Sequence, residues 1–235
     1  MGAVRKFLRG ASAVSKGARL AFGDESLRRW VLMPFFLLMA LVASVMTVAV
    51  ICIVRAKANN DGWLVLLGLL GAAFVGYVGA LLFGIAPFSG VLSERTEALT
   101  RGRPVPSAPW SHVMQEAYVG VGHAIANFAL FVALWLAVVA AHAIVPFLAP
   151  LLWAAGLVQT TLFIAYGYLD PVLSRRRLGF RDKWRYLGKH RAECVGFGAT
   201  TALLLAVPGF GLVISPIAVV GATLLALELE ARETS

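Results

Sequence analysis

Asp24-Glu25-Ser26-Leu27-Arg28-Arg29-Trp30-Val31-Leu32-Met33-Pro34 joins a charged, cap-rich start to a long apolar run, and its reading decides the fold. Asp24 and Ser26 are N-cap residue types, so a helix begins here. From Trp30 to Val54 there is no Asp, Glu, Lys or Arg, and Arg29 and Arg55 close the run. At 1.5 Å per residue this stretch extends about 37 Å, enough to cross a bilayer with some tilt. Pro34 lies in or near the first turn, where a missing N–H does little harm. Free amides at the helix start, with Arg28 and Arg29 beside them, suit an anion. Paired arginines at the mouth of a membrane helix also serve orientation and bind lipid phosphates. Both readings stand on these residues.

Toward the N-terminus, residues 4–22 place Val4, Phe7, Leu8, Ala11, Val14, Ala18, Ala21 and Phe22 on one helical side. Arg5, Lys6, Arg9, Lys16 and Arg19 fall on the other. That pattern predicts an amphipathic helix lying in the membrane interface. No uninterrupted apolar core precedes Arg19, so the segment is read as retained rather than cleaved.

Toward the C-terminus, Arg55 to Asp61 is a polar connection with Asn59, Asn60 and Gly62 as turn residues, and a second charge-free run covers 62–93. Pro87 near its end predicts a kink or a new helix that carries Glu94 and Glu97 out of the membrane. Pro104, Pro106 and Pro109 then make a loop. Residues 117–169 again lack charge and are divided by Pro146 to Pro150, which predicts a helical hairpin. A basic segment, Asp170 to Glu193, precedes the last uncharged stretch, 194–227, interrupted at Pro208-Gly209-Phe210-Gly211 and at Pro216. Arms of about 13 and 16 residues are short for full spans, so this hairpin is expected to be re-entrant.

The composition agrees: 60% of the 235 residues are hydrophobic and 14% charged, too apolar for a soluble chain of this length. The expectation is a single all-α integral membrane domain over 1–235, with an interfacial helix, two long transmembrane helices and two hairpins. The net charge of +9 flanks apolar runs instead of forming a basic face, so it reads as membrane-surface charge with lipid partners and no nucleic acid. If the two spans cross and both hairpins return, 19 of 21 basic residues share one face, with Arg55 and Lys57 opposite. The positive-inside rule makes that face, and both termini, cytoplasmic.

Other candidate sites are few. Glu94, Arg95, Glu97 and Arg101 end the second run, and Glu97 with Arg101 has i to i+4 spacing. They form either a surface ion pair or charges at a pore mouth. His123, Asn127, His142 and Gln159 are expected to hydrogen-bond between helices. Arg175-Arg176-Arg177 and the cations after it read as orientation charge and anionic-lipid contact. Cys52 and Cys194 read as packing residues. No metal-ligand spacing, phosphate-binding glycine loop, nucleophile elbow or catalytic acid pair is present, so neither a cofactor nor enzymatic activity is expected.

Five short stretches in order carry a resemblance: Phe7-Leu8-Arg9-Gly10; Leu27-Arg28-Arg29-Trp30-Val31-Leu32-Met33-Pro34; Ala86-Pro87-Phe88-Ser89-Gly90-Val91-Leu92-Ser93-Glu94; Tyr168-Leu169-Asp170-Pro171; and Pro216-Ile217-Ala218-Val219-Val220-Gly221-Ala222-Thr223. With them the chain resembles the CysZ-type sulfate permeases and the wider etoposide-induced membrane domain family. The resemblance implies two long membrane helices with two partly inserted hairpins, a homo-oligomer, and uptake of sulfate or a related oxyanion across a bacterial inner membrane for cysteine synthesis. It also implies an oxyanion site at Ser26, Leu27, Arg28 and Arg29. Family members commonly have Gly where this chain has Ser26, and Asn where it has Ser89. If the loop requires a close backbone approach at 26, Ser weakens the site, although its hydroxyl can itself donate to an oxyanion.

Overall fold

The computed structural model describes residues 2–58, 68, 71, 86–104, 110–207 and 210–233. Every regular element among the described residues is helical. They are α1 (Ala3–Gly23), α2 (Glu25–Ala58), α3 (Ala86–Thr100), α4 (Trp110–Ile144), a 3-10 turn (Pro146–Leu148), α5 (Ala149–Arg175), α6 (Phe180–Lys189), α7 (Arg191–Leu205) and α8 (Gly211–Glu233). The charge-free run Trp30–Val54 lies wholly inside α2. Most of the 62–93 span falls outside the described residues, as do the Asn59-Asn60 turn, Pro106, Pro109 and the Pro208-Gly209 tip.

The 117–169 hairpin forms, with its turn where the prolines stand. Both arms are longer than the charge-free limits suggest, because α4 takes in Trp110 to Glu116 and α5 continues through Pro171 to Arg175. Pro171 lacks an N–H to donate, yet the surrounding packing holds the helix together past it. Pro216 behaves the same way inside α8, so the second arm of the last hairpin has 23 residues where an interruption was expected. The first arm, α7, has 15. Ile125–Ile144, Ala149–Arg175 and Val213–Glu233 are long and apolar enough to cross a membrane. They differ in surroundings. The α4 segment keeps Ile125, Phe128, Trp135, Leu136 and Ile144 exposed. In α8, by contrast, residues 215–223 are buried without a break.

The core joins α1, the first turns of α2, α3, the lower half of α5, and α6 to α8. Helix α1 departs from a helix resting on lipid alone. Its buried face is Gly10, Ala13, Val14, Gly17 and Ala21, packed on α7 and α8. At Gly10 a methyl group would run into the Glu193 carbonyl, and at Gly17 it would stand 2.6 Å from the Gly221 nitrogen. Contact this close needs the missing side chains. The apolar side read from the sequence therefore splits. Val14 and Ala21 face protein, while Val4, Leu8 and Phe22 remain exposed beside the basic face.

All four charged segments meet at one end of the bundle. Lys16 pairs with Glu228 at 2.5 Å, Arg9 with Glu193 at 3.8 Å, Arg175 with Glu97 at 3.1 Å, Arg101 with Glu230 at 3.2 Å and Lys189 with Glu233 at 2.7 Å. These pairs tie the N-terminal helix, the end of α3, the 170–193 segment and the C-terminal helix together, as the parity of the chain predicts.

Candidate anion site and its charged surroundings

Only Asp24 separates α1 from α2, and its extended backbone turns the chain there. Leu27, three residues on, is fully buried, and Val31 one turn later is 1% exposed. Burying these two side chains contributes about 2 kcal/mol each and sinks the inner face of the turn into the core. Ser26, Arg28 and Arg29 are left at the surface.

The protein's own acids already hold part of this turn. Leu27 N–H donates to Asp24 Oδ1 at 3.0 Å, and the Ser26 hydroxyl donates to the same oxygen at 2.6 Å. These two bonds, the hydroxyl first, hold the Asp24 carboxyl below its ordinary range. Glu25 sits 2.8 Å from Arg29, and that contact, with the charges of Arg29 and Arg28, lowers its carboxyl as well. The Asp24 carboxylate therefore occupies the position in which a helix start holds a free anion.

The second set of predicted charges divides. Arg95 reaches back to the same turn, its guanidinium 4.5 Å from the centre of the Trp30 ring, while Trp30 packs on Phe88 at 6.3 Å. That sets a third arginine on the aromatic face of the residue following Arg29. Glu97 and Arg101 make the expected i to i+4 pair at 3.2 Å but belong to a larger cluster. Arg175 donates to Glu97 and to the Gly90 carbonyl, both at 3.1 Å, and Arg176 pairs with Glu230. Arg175 and Arg176 are thus partners in inward ion pairs. Of this set, Glu94 is half-buried and makes no ion pair among the described residues.

Reading the sequence did not find the cluster around α6. Lys183 is fully buried, its Nζ 2.6 Å from both Asp170 Oδ1 and Ser174 Oγ. Trp184 stacks on Tyr166 at 5.2 Å and meets Phe163 edge-on at 4.7 Å. A signal was available: Phe180, Trp184 and Leu187 recur at i, i+4 and i+7, the mark of a buried face inside a basic segment. The acids Glu228, Glu230 and Glu233, left unused in the sequence reading, were the available partners for the cations. Among the polar residues of the hairpin, Gln159 donates across to the Phe131 carbonyl at 3.3 Å, as expected. Asn127 Oδ1 accepts no bond among the described residues, and the side chain of His123 lies outside the description. Cys194 is buried in the core.

A family model described as sulfate transporter CysZ/etoposide-induced protein 2.4 matches residues 13–216. A sulfate transporter CysZ of Pseudomonas aeruginosa is 34% identical over 147 residues, covering 59% of this chain and 56% of the relative. One from Pseudomonas paraeruginosa is 32% identical over the same shares. Another, from Pectobacterium atrosepticum, is 27% identical over 144 residues, covering 60% of this chain and 51% of the relative. The chain spans little more than half the length of these relatives.

Proposed function

The chain belongs to the sulfate transporter CysZ/etoposide-induced protein 2.4 family, and on that premise we propose that it is an inner-membrane permease for sulfate or a related oxyanion. The anion is gathered at Ser26, Leu27, Arg28 and Arg29. What supports this reading is the exposure of Ser26, Arg28 and Arg29 at the start of α2, with Arg95 stacked on the adjacent Trp30. Asp24 acts there as an internal stand-in that an incoming anion displaces from Leu27 N–H. In this reading 1–235 is one membrane unit that works as a homo-oligomer, with both termini and the ion-paired end cytoplasmic. The α2 site then meets sulfate on the inner side, where the ion leaves the pathway or reports its internal level. The end of α3, with Glu97 and Arg101 braced by Arg175, lines the same mouth.

Sulfate flux into liposomes holding the purified chain tests the proposal. Arg28→Ala and Arg29→Ala are each expected to lower flux at least about tenfold, on the scale of lost charge-assisted hydrogen bonds. Flux absent in the parent protein, or untouched by either change, removes the permease reading. A second reading has its own support: with Asp24 on the amide and Glu25 on Arg29, the turn is satisfied without a guest. In that case Arg28 and Arg29 contact lipid phosphates in a non-transporting membrane scaffold, and headgroup binding persists without flux.

A further inference from the structure

Helix α6 has two flanks with different partners. One flank carries Lys189, paired with Glu233, and Tyr186, whose ring lies 4.8 Å from that of His190. Trp184 marks the other, and Arg181, one turn earlier, shares that side of the helix. A groove of about 540 Å³ opens beside Trp184 and runs along the hairpin between Leu134 of α4 and Ala154, Ala155, Val158 and Leu162 of α5. The two alanines hollow its floor, and its wall is almost wholly apolar. At its Trp184 end the electrostatics change. Arg181 is exposed and has no acidic partner among the described residues, while Arg185 is exposed and bonds only Asp182, at 2.9 Å. The buried Lys183–Asp170 pair fastens α6 so that this charged end stays against the hairpin.

We propose that this groove is a binding site for one anionic phospholipid. An acyl chain lies over Ala154 and Ala155, and the phosphate sits against Arg181. The charge pattern selects this occupant. A purely apolar partner, such as a second copy of the hairpin, would leave the unpaired Arg181 at its edge, whereas a lipid supplies an apolar chain and a negative head in the required order. The site is separate from the α2 turn and stands whether or not the chain carries sulfate.

Native mass spectrometry of the purified chain in detergent, offered equal amounts of phosphatidylglycerol and phosphatidylcholine, provides the test. We expect one phosphatidylglycerol retained in preference to phosphatidylcholine. Arg181→Gln should lower that retention roughly fivefold, the equivalent of about 1 kcal/mol per arginine. Ala155→Leu, which fills the floor and leaves the charges alone, should lower retention of both lipids. Both positions are exposed, so both variants fold. Equal retention by the parent and the two variants overturns the site. Displacement of the lipid by inorganic phosphate also does, since that marks a free-anion site. So does an Ala155→Leu variant that breaks a dimer while its lipid count is unchanged, which assigns the groove to a second copy.

Discussion

Asp24 is the residue on which the anion turn depends, because it serves as helix cap and competing ligand at once. Its carboxyl is held below the ordinary value of 3.8 by Ser26 and Leu27. A depressed folded value means that its stabilisation is present above pH 3.8 and is lost as pH falls through the lower folded value. Replacing Asp24 with Asn keeps an N-cap of equal rank and removes the charge. Sulfate affinity, measured by calorimetry on the purified chain, should rise about two- to fivefold in Asp24→Asn, the worth of roughly 0.3–1 kcal/mol at a helix start. The acid-side loss of thermal stability should flatten in the same variant. An affinity unchanged or lowered would mean that no guest competes with this carboxylate.

At the scale of elements, α6 shows what periodicity alone leaves open. Its cations look alike in sequence, yet Lys183 is fully buried on Asp170 while Arg185 is exposed on Asp182. The difference arises from position on the helix: Lys183 shares the inner side with Leu187. Lys183→Met should cost about 3–5 kcal/mol, because the Asp170 carboxylate, only 15% exposed, loses its cation. The double change with Asp170→Asn should recover much of that loss. Thermal unfolding of the purified chain would show this as a lowered midpoint that the second substitution partly restores. A single variant as stable as the parent would mean that α6 is held by its aromatic contacts alone.

On the scale of the whole molecule, the ion pairs at one end draw five helices onto the acids of α8. Glu230 alone meets Arg101 and Arg176, and Glu233 meets Lys189 and His190. The proposed permease would also face the membrane potential. Moving a divalent anion inward against 100 mV costs about 4.6 kcal/mol, a gradient of roughly two to three thousandfold if no ion is coupled. On the permease reading, rapid consumption inside or proton coupling would carry uptake. In liposomes, an inside-negative potential should slow sulfate entry steeply, and an acidic exterior should restore it only if protons are coupled. Entry indifferent to potential would point to an electroneutral exchange in place of a permeation pathway.

The sequence alone determined most of the described helices, α6 excepted, because charge-free runs and i to i+4 recurrence are local properties of a backbone that must satisfy its own hydrogen bonds in lipid. The i to i+4 pair of Glu97 and Arg101 was legible for the same local reason. Only the tertiary structure decided that Pro171 and Pro216 stay inside helices, where packing outweighs one lost N–H bond. It alone decided that α1 is pressed against α7 and α8, that Arg175 and Arg176 turn inward, and that Lys183 is buried. Each of these rests on a partner far away in sequence, such as Asp170 for Lys183 or Glu230 for Arg176, and a partner's distance in space is not written in local spacing. The same holds for Asp24, whose type marks a cap while its grip on Leu27 is a matter of geometry.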